Sequence, residues 1–116
     1  MSRERQFTKP GSPLTAPVFY ILLSLSIRDR HGYDILKHVE ESSAGRIRLG
    51  PATLYTALKR LLDASLIAEL EPDPHEDPRR RRYRLTTRGG SKLRAELTRM
   101  ENAIVLAGTH RLRARS

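Results

Sequence analysis

The sequence predicts a mainly α-helical fold with one small β-hairpin, which is an α+β class. Three observations support this prediction. Apolar residues recur at helical spacing in three stretches between residues 15 and 62. Two short segments of alternating polarity then flank a loop that holds three prolines. A last stretch, residues 87–110, repeats apolar residues every three or four positions, and a chain of 116 residues has room for one domain.

Composition limits the partners and the chemistry that the chain can have. Its 22 Lys and Arg residues against 13 Asp and Glu give a net charge of +9, which favours nucleic acid or an anionic membrane surface as partner. Cysteine is absent, so disulfides and thiolate metal sites are excluded. The longest apolar run, Ala16–Ile27, is too short to span a bilayer, and charged residues rather than a cleavage site follow it. We therefore expect a soluble, cytoplasmic protein.

The first helix is predicted to begin after Thr15 as its N-cap. That start places Pro17 in the first turn, where a proline is tolerated. Apolar residues occupy more than half of the circumference of the predicted helix, so two of its sides must be buried against other structure. A second subunit could bury one of these sides. The buried stripe of the helix and the residues that widen it are Val18, Ile21, Leu22, Leu25, Phe19, Leu23 and Ile27.

The second helix is predicted to follow a charged turn at residues 28–32. It runs from Tyr33 to about Ser42, where the Ser-Ser-Ala-Gly sequence ends it, and its inner side is predicted to hold Tyr33, Leu36 and Val39. Residues 46–49 alternate arginine with Ile or Leu, which predicts a very short strand.

The third helix, residues 50–62, has two unlike faces. Pro51 fits the first helical position, and Gly50 serves as a permissive cap. Four apolar residues share one side: Leu54, Ala57, Leu58 and Leu61. The opposite side is small, polar and basic, with Ala52, Thr56 and Lys59 flanked by Tyr55 and Arg60. Such a face suits a DNA major groove, although an ordinary amphipathic surface helix shows the same periodicity.

Two strands, residues 66–71 and 79–86, are predicted around the proline-rich loop at residues 72–78. On the returning strand Tyr83 and Leu85 alternate with Arg82 and Arg84. Three helices followed by a hairpin form the winged helix-turn-helix pattern. The five arginines at residues 79–84 favour phosphate contact over a merely solvated face. The acidic loop would repel DNA, so we expect it to point away or to fold back on the arginines.

The last predicted helix carries a narrow, heptad-like seam. The seam consists of Leu93, Leu97, Met100, Ile104 and Ala107. It could pack on its own domain or pair with a second copy, and the pairing is preferred because two half-sites strengthen DNA binding. Gly89 and Gly90 are expected to weaken the first turn.

The predicted organisation is a basic arm at 1–14, a winged helix-turn-helix domain at 15–86, a dimerisation helix at 87–110 and a basic tail at 111–116. For the basic arm, the interpretation as a leader without a role is preferred over the interpretation as a segment that contacts DNA.

Several motifs resemble those of the PadR family. His31–Leu36 is similar to its HGY signature, and Thr53–Leu61 is similar to its G-T-L-Y-P-A-L-K-R-L motif. Leu66-Ile67 and Arg81–Gly89 resemble its G-L-I and its basic return strand, so the resemblance covers roughly residues 15–97. Ser65 replaces the family glycine that ends the recognition helix, and it must therefore adopt a left-handed backbone conformation.

The resemblance implies a transcriptional regulator, often a repressor, that binds a palindromic operator in double-stranded DNA as a homodimer. We predict that Lys59 and Arg60 approach guanine and that Tyr55 contacts a phosphate, although a packing role for Tyr55 stays open. His31 is expected to be a capping or turn residue rather than a phosphate donor. The full set of predicted DNA contacts is Thr53, Tyr55, Thr56, Lys59, Arg60, Arg79, Arg80, Arg81, Arg82 and Arg84.

Other functions are less well supported. Some short members of the family bind flat drugs between tryptophans, and a chain without Trp cannot form that site, so a small-molecule effector stays open but unidentified. An enzyme, a metal site or a cofactor is not expected, because prolines interrupt the Asp73–Asp77 cluster and no glycine loop could cradle a phosphate. The arginines do not lie opposite an apolar helix face, which disfavours a membrane partner. A winged helix that binds protein as an adaptor is the remaining alternative.

Overall fold

The computed structural model describes residues 13–77 and 80–110 of the chain. Most of the predicted arm, Arg79 and the predicted tail lie outside the described residues. The three strands form one antiparallel sheet in the order β1-β3-β2. The helices and strands are α1 (Ala16–Ile27), β1 (Arg30–His31), α2 (Gly32–Ser42), α3 (Pro51–Asp63), β2 (Ile67–Glu69), β3 (Arg82–Leu85) and α4 (Thr87–His110). This architecture confirms the predicted α+β class, and α1–α3 with the β2–β3 hairpin form a winged helix-turn-helix.

The segment between α1 and α2 differs from the prediction. Instead of a plain charged turn it contains β1, in which Arg30 pairs with Tyr83 and His31 with Arg82. Two residues are too few to show an alternating pattern, and their partners lie some fifty positions away in sequence, so local periodicity could not reveal this strand.

The inner side of α2 was predicted correctly at Val39 and in part at Leu36, but wrongly at Tyr33. Val39 is completely buried and Leu36 is partly buried against the core, whereas Tyr33 is 68% exposed and Ile35 is completely buried instead. Periodicity allowed either Tyr33 or Ile35 on the inner side, and the contact with α1 and α3 selects the branched aliphatic Ile35. The strand predicted at residues 46–49 is likewise wrong, because the Ser43 hydroxyl accepts the Ile47 N–H at 3.0 Å and holds this segment as an irregular loop.

The first helix begins as predicted. Thr15 is the N-cap, and its hydroxyl accepts the Val18 N–H at 3.4 Å. Near the other end of α1, the buried Arg30 donates its Nε–H to the Ser24 carbonyl at 2.7 Å. Burial, and then the nearby charge of Arg28, lowers the pKa of Arg30. This arginine is therefore part of the core and satisfies a carbonyl in the last turn of α1.

The core lies between α1, α2, α3 and the sheet. Leu54, Leu58 and Leu61 of α3 are at most 1% exposed, as the amphipathic pattern predicts. Because these leucines face inward, the opposite side of α3 must face solvent. Their main buried neighbours are Ile21, Leu22, Leu25, Ile35, Val39, Leu66, Ile67 and Tyr83.

The turn after α3 is joined directly to the start of α4. Ser65 adopts the predicted left-handed conformation with φ of 60°. The Leu66 carbonyl accepts the Thr86 N–H at 3.2 Å, and the Thr86 hydroxyl donates to the Ser65 carbonyl at 2.7 Å. That hydroxyl also accepts the Gly89 N–H at 3.0 Å and so caps α4. Gly89 lies so close to the Leu66 carbonyl that a Cβ at this position would collide with it. We call this contact the α3–α4 junction.

The first half of α4 packs on its own domain. Leu93 is buried and Leu97 is half-buried against the core. Glu96 is also buried. Its carboxylate accepts a hydrogen bond from the Leu14 N–H at 2.7 Å, and Arg99 Nη2 lies 2.8 Å from Glu96 Oε1. The Leu14 hydrogen bond, with help from Arg99, holds the pKa of Glu96 below its usual range although burial acts in the opposite direction. Glu96 therefore ties α4 to the residue that precedes the cap of α1.

The two glycines at the start of α4 should respond oppositely to alanine. Gly89→Ala should lower the free energy of unfolding by about 2 kcal/mol, because the new methyl overpacks against a backbone carbonyl that cannot rotate away. In Gly90→Ala the Cβ would meet only Leu85 Cδ2 at 3.8 Å, so the gain in helix propensity should stabilise the fold by about 0.5–1 kcal/mol. Urea unfolding of both variants measures the difference; equal effects would contradict the junction.

Glu96→Gln should remove part of the dependence of stability on pH. A lowered folded-state pKa stabilises the fold above the unfolded-state pKa, about 4.3, and this contribution disappears as the pH falls through the folded-state pKa. At pH 7 the variant should lose roughly 1–3 kcal/mol, and the loss should shrink toward pH 3. Glu101→Gln, an exposed site on the same helix, is the control. A constant difference between pH 3 and pH 7 would rule out a role for the Glu96 charge.

Candidate nucleic-acid interface

The outer face of α3 is small, polar and basic. Ala52, Thr56 and Lys59 are all exposed on it, as predicted. The Thr56 hydroxyl donates to the Ala52 carbonyl at 2.9 Å, so its proton is used within the helix. In this arrangement Thr56 offers an acceptor and a methyl group, which suit an exocyclic amine or a thymine methyl on a base edge.

One flank of this face borders α1. Thr53 is exposed and Arg60 is half-buried, and both line a shallow groove together with Thr15 and Pro17. The start of α1 and the flank of α3 therefore form one continuous surface. Arg60 is half-buried at this groove, so its guanidinium can still meet solvent or a phosphate.

The other flank carries Tyr55, for which a packing role had stayed open. Its side chain is 46% exposed, and its hydroxyl lies against Gly32 at the start of α2, where a Cβ would come within 2.5 Å of that oxygen. The structure thus supports packing for one part of the ring. A phosphate contact through the same hydroxyl stays a prediction. The packing of Tyr55 against Gly32 explains the need for glycine at position 32.

Tyr83 connects this flank to the wing. It is buried on β3, and burial raises the pKa of its hydroxyl, with further contributions from Glu69 and Tyr55 and an opposing one from Arg81. Because Tyr83 lies on β3 and α3 contacts the neighbouring strand β2, α3 adjoins the wing.

The wing presents most of its predicted arginines to solvent. Arg80, Arg81 and Arg84 are exposed and Arg82 is half-buried; Arg79 lies outside the described residues. Arg81 Nη1 is 3.4 Å from Glu69 Oε1, but an exposed pair of this kind is weak and costs little to exchange for a phosphate. The structure therefore brings four of the predicted wing cations together.

The acidic loop folds back on the arginines, which was one of the two expected arrangements. Glu69, Asp73 and Glu76 line a small cavity of about 140 Å³ that Arg80 and Arg82 also line. Folding back keeps these carboxylates next to cations of their own chain.

His31 has a neighbour that the sequence did not suggest. It is the N-cap residue of α2, as expected of a capping histidine, but its side chain makes no cap hydrogen bond. Its Nε2 lies 3.5 Å from Glu76 Oε1 on the wing loop. No sequence signal could have shown this contact, because the two residues meet only once the hairpin is folded.

The predicted seam of α4 is divided in two. Leu93 and Leu97 contact the core, whereas Met100 is 42% and Ile104 is 72% exposed, and Ala107 is half-buried. Val105 and Leu106, which the prediction did not include, are also exposed. The second half of α4 is therefore apolar on several sides and has no cover from its own chain among the described residues.

The described residues also bear on metal binding and on membrane insertion. Within residues 13–77 and 80–110, no three His, Asp or Glu side chains lie close enough to hold a metal ion. None of the helices described here is both long and apolar enough to cross a membrane.

Comparison with solved structures shows a shared fold. The chain is similar to a PadR family transcription regulator from Clostridium difficile, with a TM-score of 0.65 and 23% sequence identity over 83% of this chain and 98% of that one. It is also similar to a transcriptional regulator from Clostridium thermocellum, with a TM-score of 0.64 and 22% identity over 83% and 90% of the two chains.

A third similar structure is Bordetella bronchiseptica BpsR, whose DNA binding is regulated by 6-hydroxynicotinic acid. Its TM-score is 0.63, with 25% identity over 95% of this chain and 76% of that one. No curated protein matches the sequence.

The family assignment rests on a match over more than half of the sequence. The family model described as "Transcriptional regulator PadR-like family" matches residues 21–95, which is more than half of the chain. The matched region contains α2, α3, the wing and the first part of α4. The chain belongs to the PadR-like family, whose members are transcriptional regulators and not enzymes.

Proposed function

We propose that this regulator binds double-stranded DNA as a homodimer and represses transcription from a palindromic operator. The observation that carries the proposal is the exposure of both the polar outer face of α3 and the wing arginines, on elements that are in contact. Short polar groups and Lys59 on α3 suit the major groove, and the arginines of β3 suit the backbone or the minor groove. Its place of action is the cytoplasm.

The exposed apolar residues of α4 support the homodimer. Ile104, Val105 and Leu106 point in different directions around the helix, so a single neighbouring helix could not cover them all. A second copy could cover them with its own α4 and with the exposed Ile27 of its α1. A two-fold arrangement would also present two α3 helices to half-sites about 34 Å apart.

A small-molecule effector is a secondary part of the proposal. BpsR, a similar structure, responds to 6-hydroxynicotinic acid. In the present chain a groove between α1 and α4 is lined by Leu25, Leu93 and Leu97 together with Asp29 and Arg94. Apolar walls combined with two charged side chains would suit an amphipathic molecule, and its identity is open.

Lys59 and Arg80 should affect DNA binding in different ways. Arg80→Ala should weaken binding to all duplexes alike and lower the slope of log K against log salt by about 0.9 per lost phosphate contact, hence about 1.8 for a dimer. Lys59→Ala should instead reduce discrimination between a selected duplex and an unrelated one, by about tenfold. Titrations at several salt concentrations measure both quantities.

Arg88→Ala is the control for these titrations, because it removes the same charge from an exposed site on α4 that belongs neither to the proposed surface nor to the effector groove. If Arg80→Ala and Lys59→Ala behave like this control, the assignment of the surface is wrong. A chain that binds no duplex but retains its fold would favour the adaptor alternative.

Met100→Asp should split the dimer and abolish tight operator binding. A carboxylate in the seam would have to be buried without a partner, which is costly. Ala95→Asp is the control, since it is exposed on the first half of α4, outside the exposed apolar segment. Sedimentation at low micromolar concentration measures the assembly. A wild-type monomer under these conditions would refute the dimer.

A further inference from the structure

The outer face of α2 carries an aromatic ring and a cation that the fold does not use. Tyr33 is 68% exposed, and Lys37, one turn further on, places its Nζ 5.9 Å from the centre of the Tyr33 ring. This distance is within the range of a cation–π contact. Neither side chain contributes to the core, so the stability of the domain does not explain their presence.

Two of the three carboxylates of α2 form ion pairs with arginines. Asp34 pairs with Arg28 at 2.9 Å, and Glu40 pairs with Arg48 at 3.2 Å. Among the described residues no carboxylate forms an ion pair with Lys37, and its ammonium lies over the Tyr33 ring. Because Glu40 and Glu41 occupy the last turns, the first half of α2 is the part that can accept an anion.

The position of this pair follows from the packing of Tyr55. The Tyr55 hydroxyl rests on Gly32, the residue immediately before Tyr33, so the start of α2 adjoins the flank of α3. A duplex that receives the outer face of α3 in its major groove would bring the bordering backbone close to this point.

We propose that Tyr33 and Lys37 bind a phosphate of the DNA backbone beside the major groove that α3 enters. The proposal rests on the function proposed above and adds α2 to its contact surface. The tyrosine hydroxyl donates a hydrogen bond and the ammonium supplies charge, a pairing typical of backbone contacts that position a protein without reading sequence. The Tyr33 ring already limits the positions of the Lys37 ammonium, so less side-chain conformational entropy is lost when the phosphate binds.

Two variants test this contact directly. Lys37→Gln should lower affinity by about threefold to tenfold for selected and unrelated duplexes alike, and should lower the salt slope by about 0.9 per chain. Tyr33→Phe should weaken binding by a similar factor with little change in slope, because it removes only the hydroxyl. Both sites are exposed, so circular dichroism should show an unchanged fold.

Two controls make the result decisive. Lys37→Arg keeps the charge and should retain most of the affinity, whereas Arg88→Gln removes a charge from an exposed site on α4 and should change little. If Lys37→Gln behaves like Arg88→Gln while Lys59→Ala and Arg80→Ala still impair binding, the α2 contact is wrong and the proposed function stands. If the wild-type chain binds no duplex, the proposed function fails and the α2 contact fails with it.

Discussion

The close approach of Gly89 to the Leu66 carbonyl fixes the direction of α4 with respect to α3. The same carbonyl accepts the Thr86 N–H, and Thr86 caps α4 while donating to Ser65, so the end of one helix and the start of another share one set of hydrogen bonds. Because the contact is between backbone groups, it leaves little room for the two helices to pivot. In a dimer formed through α4, this junction would set the separation of the two α3 helices.

A second contact joins α3 to the start of α2, where Tyr55 covers Gly32. The other neighbour of α3 is β2 of the wing. We infer that the outer face of α3 and the arginines of the hairpin belong to one surface, which the start of α2 extends through Tyr33. The small polar groups expected to face the bases lie at the centre of this surface, and cations expected to meet phosphates lie around them.

The sequence was sufficient to predict those structural features that are determined by neighbouring residues in the chain. The cap at Thr15, the leucine face of α3 and the left-handed Ser65 each depend on residues within a few positions. It was insufficient wherever a distant partner decides. The strand β1 exists because β3 pairs with it, and Ile35 rather than Tyr33 is buried because of how α2 meets its neighbours. The need for glycine at position 89 likewise depends on a carbonyl far away in sequence.

The central claim is that two copies, held by α4, present their α3 helices to a single duplex. Selection of bound fragments from random double-stranded DNA tests it most directly. The account predicts an enriched palindrome whose half-sites are separated by one helical turn, about 10 base pairs centre to centre, or by a whole multiple of it. Enrichment of a single asymmetric site, of half-sites half a turn apart, or of no sequence at all would contradict it.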